Sequence, residues 1–146
     1  MLPAVLRAEG AVIELTVYGT PGPQGSKRHV GRGIMVESSP LVKPWREAVK
    51  WAFVERYGST VRPVLRGPVA VEMIFTLARP KSAKRTLPAV KPDLSKLVRS
   101  TEDALTEVGA WEDDARVVRI ATVKHYAGGI GALPSPGAVI RIKEAA

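Results

Sequence analysis

The spacing of apolar residues along the chain predicts four strands. Apolar and polar residues alternate over residues 11–18 and 69–78, which is the period of a half-buried strand. Two further apolar stretches, at roughly 115–126 and 138–143, flank a Gly/Pro-rich connection and are also predicted to be strands.

Between these strands, a second period predicts two amphipathic helices. One helix is expected to begin near Pro44 and to end before Gly58, because its apolar residues recur at steps of three and four: Trp45, Val49, Ala52 and Phe53. The other is expected over residues 94–108 and is ended by Gly109. Trp51 lies off the apolar stripe of the first helix. We expect it to pack against a neighbouring element, although it could also stack on a nucleic-acid base.

The order strand, helix, strand, helix, strand, strand predicts an α+β fold. At 146 residues the chain is long enough for one domain with a core, so we expect a single domain over residues 1–146. A small mixed or antiparallel sheet with its helices packed on one face fits this order. The other face of such a sheet needs a cover, which a dimer partner or nucleic acid could supply.

Composition narrows the class of protein. The absence of cysteine excludes a disulfide framework and a cysteine-based zinc site. No apolar run reaches the 18 or so residues that a membrane-spanning helix needs, so no membrane span is predicted. We therefore expect a cytoplasmic protein with no membrane partner. Lys and Arg number 22 against 14 Asp and Glu, and this net charge of +8 favours a nucleic-acid partner. The aromatic sheet motif of an RRM is missing, which argues against that type of RNA-binding domain.

The positive charge is concentrated in two segments. The first, "GTPGPQGSKRHVGRG" from Gly19 to Gly33, is predicted to be a loop in which Lys27 and Arg28 could follow a phosphate backbone; the alternative is an ordinary solvated loop. The second runs over residues 79–99 and contains one acid, Asp93, among seven cations: Arg79, Lys81, Lys84, Arg85, Lys91, Lys96 and Arg99.

Three acids permit two interpretations. Asp93 stands where a helix N-cap is expected, and Asp113 and Asp114 could form a simple acidic turn. Carboxylates close to lysine and arginine are also what phosphodiester chemistry requires, because carboxylate oxygens bind Mg²⁺ while the cations hold phosphates. A residue can serve as a cap and still face a metal ion.

The stretch "KPDLSKLVRSTEDALTEVGAWEDDARVV", residues 91–118, resembles the RusA family of Holliday junction resolvases. The family's long spacing is kept, since Asp93 to Asp103 and Asp103 to Asp113 are ten residues each. The resemblance implies a RusA-like nuclease of phage or prophage type, acting as a homodimer on branched DNA and cutting four-way junctions in recombination and repair. It also implies Mg²⁺ as cofactor, for which Mn²⁺ can substitute.

Carried over residue by residue, the resemblance assigns catalysis and metal binding to Asp93, Asp113 and Asp114, with Asp114 the better supported of the pair. Arg99 takes the place of a catalytic lysine; it can stabilise charge but cannot donate a proton near neutral pH. The residues expected to bind DNA are Lys27, Arg28, Lys81, Lys84, Arg85, Lys91 and Lys96.

The sequence departs from the family at Ser95, where a second catalytic Asp is usual. Either Asp93 and the acid pair hold the metal with extra waters, or Glu102 compensates. Glu102 lies seven residues after Ser95, about 10 Å along a helix, which is too far without help from another protomer. The rival interpretation is a non-catalytic protein that binds branched DNA and has lost cleavage through Ser95.

The length of the second helix raises a further question. A helix over 94–108 spans about 22 Å, so Asp93 and the acid pair begin at its opposite ends. They can converge if the chain folds back, or if antiparallel helices meet across a two-fold axis.

Overall fold

A computed structural model describes residues 12–145 apart from 26, 34 and 38; for 27–29 and 35–37 it describes the backbone alone. Within these described residues there are two α-helices and six strands, together with a short 3-10 helix at Asp114–Arg116. The helices are α1 (Val42–Tyr57) and α2 (Leu94–Val108). The strands are β1 (Val12–Tyr18), β2 (Lys27–His29), β3 (Met35–Glu37), β4 (Val69–Leu77), β5 (Val117–Tyr126) and β6 (Gly137–Glu144).

The main sheet is mixed, with the strand order β1-β6-β4-β5. The last strand, β6, is inserted between β1 and β4 and runs antiparallel to both, whereas β4 and β5 are parallel. Parallel neighbours need a crossover connection, and α2 lies on that connection. The predicted α+β fold, with its four main strands and two helices, is therefore confirmed.

Two expectations about the strands were wrong. The segment 19–33 is not all loop, because Lys27–His29 pairs with Met35–Glu37 as a small antiparallel hairpin. The strand β4 is buried at all nine positions rather than on one face only. β4 lies between β5 and β6, so side chains of these two strands stand next to its own side chains on both faces of the sheet. For example, Arg141 of β6 lies 3.3 Å from buried Glu72.

The core lies between the sheet and the two helices. Trp45, Phe53 and Trp111 are fully buried in it, and the Trp45 indole N–H donates to the hydroxyl of Thr101 on α2 at 3.0 Å. Trp51 does not pack as expected and is 68% exposed. It follows Trp45 by six residues, which places it about 240° around α1 and away from the core.

The segment before the hairpin is tied to α2. The Ser100 hydroxyl donates to the carbonyl of Gly22 at 2.5 Å, and the amide of Gln24 donates to the carbonyl of Lys96 at 3.0 Å. A Cβ at Gly22 would lie 2.3 Å from the carbonyl oxygen of Leu41, so only glycine fits this close approach. The start of the hairpin is thus fixed beside the N-terminal half of α2. Among the described residues, no helix is long and apolar enough to cross a membrane.

Candidate active site

Asp93 begins α2 without using its side chain to do so. Its backbone is extended (φ −66°, ψ 134°), and its carbonyl accepts from the amide of Leu97 at 3.2 Å, as an N-cap residue should. The expected side-chain cap is wrong, because the carboxylate makes no capping hydrogen bond. The side chain is 52% exposed, and the Lys96 ammonium lies 3.8 Å from it. This carboxylate is therefore available to an external ligand.

A cleft of about 580 Å³ opens beside Asp93. Its walls are mostly apolar and include Tyr126, while Lys91 and Lys96 join Asp93 in its lining. The segment leading into Asp93 is held by Lys124 of β5, whose ammonium donates to the carbonyls of Val90 at 2.6 Å and Pro92 at 2.8 Å. The sequence does not single out Lys124, because the pairing of β5 with β4 that brings it here exists only in the fold.

Ser95 and Arg99 lie one turn apart on α2, and both are exposed. The Arg99 guanidinium lies against the loop before the hairpin: a Cβ placed on Gly25 would be 3.4 Å from its Nη1. Arg99 therefore lies beside the loop that leads into the hairpin.

At the other end of α2, the two acids of the pair have different partners. Asp113 caps the 3-10 helix, with its Oδ1 accepting from the amide of Ala115 at 2.7 Å. Asp114 faces α2 instead, where its Oδ1 accepts from the hydroxyl of Thr106. Both side chains are exposed. Adjacent carboxylates are thus divided between stabilising a turn and facing the helix.

Glu102 is a titratable group on α2 whose pKa is shifted by its surroundings. Burial raises the pKa of its carboxyl from 4.5 to about 7, and the nearby negative charges of Asp114 and then Asp103 add to the rise. Asp103 in turn accepts from the side-chain amide of Gln24 at 2.5 Å. Glu102 therefore belongs with Asp114, and not with Ser95, which follows Asp93 by two residues.

A single protomer keeps the predicted acids in two places. Thr106, which holds Asp114, follows Asp93 by thirteen residues, or about 20 Å along α2. In the part of the chain that the structure describes, no group of three or more His, Asp or Glu side chains could hold a metal ion. The chain does not fold back far enough to join the two ends of the helix.

The basic segment 79–91 leaves its predicted DNA-binding cations exposed: Lys81, Lys84, Arg85 and Lys91. Arg79 stabilises the backbone of this segment, because its guanidinium donates to the carbonyls of Arg85 at 3.0 Å and Ala83 at 3.2 Å. The same guanidinium stacks over the ring of Tyr126. Lys27 and Arg28 belong to β2 by their backbone, and their side chains lie outside what the structure describes.

Comparison with protein families gives one result that covers most of the chain. The family model described as Endodeoxyribonuclease RusA matches residues 18–142, a span that contains both ends of α2 and the whole basic segment. A comparison with curated proteins finds no match.

Proposed function

Because the chain belongs to the RusA family of endodeoxyribonucleases, we propose that it resolves four-way DNA junctions by Mg²⁺-dependent hydrolysis of phosphodiester bonds. The family acts on branched DNA and is one of Holliday junction resolvases. The proposed setting is DNA recombination and repair in the cytoplasm. The observation that carries the proposal is the exposed Asp93 carboxylate, which is free of capping duty and stands among lysines at the edge of a cleft.

The donor set suits Mg²⁺, since Asp93, Asp113 and Asp114 offer hard oxygen atoms. Mg²⁺ usually keeps several waters and takes one or two carboxylates together with substrate phosphates, so three clustered acids are not required. In this proposal Asp93 and Asp114 hold the ion, and Asp113 assists with the oxygen that the turn leaves unused. When bound, the ion lowers the pKa of a water molecule and stabilises charge on the phosphate.

The cations complete the site. Lys91 and Lys96 are the cations proposed to bind the phosphates on either side of the cut, and their position in the lining of the cleft with Asp93 supports this role. Arg99 offers a planar fork suited to two phosphate oxygens and keeps its charge throughout the reaction. Further cations extend the contact along the junction arms without reading sequence: Lys27, Arg28, Lys81, Lys84 and Arg85.

We propose that the active site is shared across a homodimer. Asp93 and Asp114 lie at opposite ends of a helix of 15 residues, and two antiparallel copies of α2 about a two-fold axis would bring the start of one beside the end of the other. The sheet face away from the helices carries a separate groove lined partly by apolar side chains, including Ile74, Val123 and Val139; it lies on the other side of the sheet from α2 and takes no part in this arrangement.

The first experiment incubates the purified protein with a synthetic four-way junction and with a linear duplex of the same sequence, with and without Mg²⁺. Paired nicks confined to the junction and dependent on the metal are expected. Equal cutting of the linear duplex, or cutting that survives chelation of the metal, contradicts the proposal.

Sharing of the site is tested by mixing two inactive variants, Asp93→Asn and Asp114→Asn. A mixed dimer with shared sites has one site carrying both substitutions and one carrying neither, so random mixing should restore about a quarter of the wild-type sites. If each site is built within one chain, every site in the mixture stays defective and no activity returns. Light scattering of the mixture confirms that it is dimeric.

A second candidate function is binding of branched DNA without cleavage. Ser95 favours it, because an exposed hydroxyl stands on α2 where the family has a carboxylate, and a neutral hydroxyl is a weak Mg²⁺ ligand. Tight junction binding with no nicks in Mg²⁺ or Mn²⁺ would establish this function. If the wild type does not cut, Ser95→Asp should create cutting; if the wild type does cut, Ser95→Asp should raise the rate about tenfold. Ser95→Ala is the control and should leave cutting and junction binding as they are in the wild type.

A further inference from the structure

Asp114 is connected to the protein core through two hydrogen bonds in series. The fully buried indole of Trp111 donates its N–H to the Thr106 hydroxyl oxygen at 2.6 Å, and that hydroxyl in turn contacts Oδ1 of Asp114. An indole N–H can only donate, and an ionised carboxylate can only accept. The Thr106 proton must therefore point at Asp114, and the direction of both bonds is fixed.

The turn that places Trp111 is itself held firmly. Gly109 ends α2 in the left-handed conformation (φ 83°), and the amide of Ala110 donates back to the carbonyl of Leu105 at 3.0 Å. The carbonyl of Gly109 accepts from the amide of residue 64, and the carbonyl of Ala110 accepts from the amide of residue 65, both at 3.0 Å. The indole thus starts from a rigid part of the fold, whereas Asp114 itself is exposed.

We propose that Thr106, oriented by Trp111, is a positioning residue that holds the Asp114 carboxylate in the direction needed to bind a divalent cation. The proposal rests on the function proposed above, in which Asp114 is a metal ligand. The bond from Thr106 occupies one side of Oδ1 and leaves Oδ2 for the ion. Groups that orient a ligand in this way typically change metal affinity or activity by about 10- to 100-fold when they are removed.

The test compares Thr106→Val, which keeps the shape of the side chain but removes the hydroxyl, with Thr106→Ser, which keeps the hydroxyl. Mn²⁺ binding to the junction-bound protein is followed by the loss of the free-ion electron paramagnetic resonance signal, and cutting is measured over a range of Mg²⁺ concentrations. Thr106→Val should weaken Mn²⁺ binding and raise the Mg²⁺ concentration for half-maximal cutting by about 10-fold or more, while Thr106→Ser stays within about threefold of wild type.

Junction binding without metal separates positioning from folding. It should be the same for wild type and both variants, because the basic surface is untouched. Trp111→Phe, which keeps an aromatic ring but loses the N–H, should shift the Mg²⁺ requirement in the same direction by a smaller factor.

Two results overturn the positioning role while leaving the proposed function intact. One is a Thr106→Val protein that binds Mn²⁺ and cuts as wild type does. The other is a Thr106→Ser protein that is as defective as Thr106→Val, which would assign the effect to packing of the methyl group. If the wild type itself neither binds Mn²⁺ nor cuts, the proposed function fails first and the positioning role fails with it.

Discussion

The two ends of α2 hold their acids in opposite ways. At the first end the Asp93 carboxylate has no capping bond and a lysine at 3.8 Å, while the backbone before it is held by Lys124. At the last end Asp114 is bonded to a hydroxyl that is fixed by a buried indole. One carboxylate can thus change its direction, and the other is held in one direction by its hydrogen bond. A site that uses both acids would combine an adaptable carboxylate, Asp93, with a fixed carboxylate, Asp114.

The largest effect is expected from removing either charge. Asp93→Asn and Asp114→Asn should each lower junction cutting by about 10³-fold or more, because a metal ligand contributes several kcal/mol to the transition state. Binding to the junction in the absence of metal should be unchanged, since the basic surface remains. A variant that cuts at the normal rate would remove its residue from the site.

Lengthening each acid tests the comparison most directly. Asp93→Glu should lower cutting by about tenfold, because an exposed carboxylate without a capping hydrogen bond can adjust by one methylene group. Asp114→Glu should lower it by about 100-fold, because the longer chain moves the carboxylate off the Thr106 hydroxyl. Cutting is measured in single turnover at saturating Mg²⁺. Equal losses at the two positions would mean that the two ends do not differ in rigidity.

A smaller effect is expected on stability, through Glu102 beside Asp114. Its carboxyl pKa is raised from 4.5 to about 7, so the folded protein binds more protons than the unfolded chain between these values. Stability should therefore fall as pH rises from 4.5 to 7, and the loss should be complete above pH 7.

Glu102→Gln removes this penalty. The variant should match wild type near pH 4.5 and be more stable by about 1 kcal/mol at pH 8, a modest figure because the side chain is partly solvated. Thermal unfolding at the two pH values measures the difference, expected to be about 3 °C at pH 8. A stability difference between the variant and wild type that is the same at both pH values would contradict the raised pKa of Glu102.

The smallest effect is expected at the adaptable end, from Lys124. Lys124→Met removes the ammonium that binds the carbonyls of Val90 and Pro92, so the segment before Asp93 should loosen and cutting should fall by about threefold. Faster amide hydrogen exchange over residues 89–94 would accompany the loss. Lys43→Met on the exposed side of α1 removes the same charge elsewhere and is the matched control. Equal effects from both variants would assign the loss to net charge alone.

The elements that depend on local pattern were predictable from the sequence. The bounds of α2 were predicted as found, because an apolar stripe and a terminal glycine define them within one segment. The hairpin β2–β3 was missed, since strands of three residues carry too short an alternation to detect. The full burial of β4 was missed as well, because it depends on which strands lie on either side.

The same division applies to the candidate site. The acids and cations were found through charge and spacing along the chain. Thr106, Gln24 and Lys124 were not, because their partners are distant in sequence or become neighbours only in the fold; Gln24 and Asp103 are 79 residues apart. Residues that hold a catalytic group in place are ordinary polar residues in the sequence, and only their contacts distinguish them.

The position of β6 has a consequence for truncated forms of this protein. Residues 137–144 pair with β1 on one side and with β4 on the other, so these two strands have no contact with each other through the sheet until β6 arrives. A chain that ends before residue 137 contains both acid groups and every cation of the basic segment, but it lacks the strand that joins β1 to the rest of the sheet. A chain cut short before β6 should therefore be a target for proteases, although it keeps every residue of the proposed site.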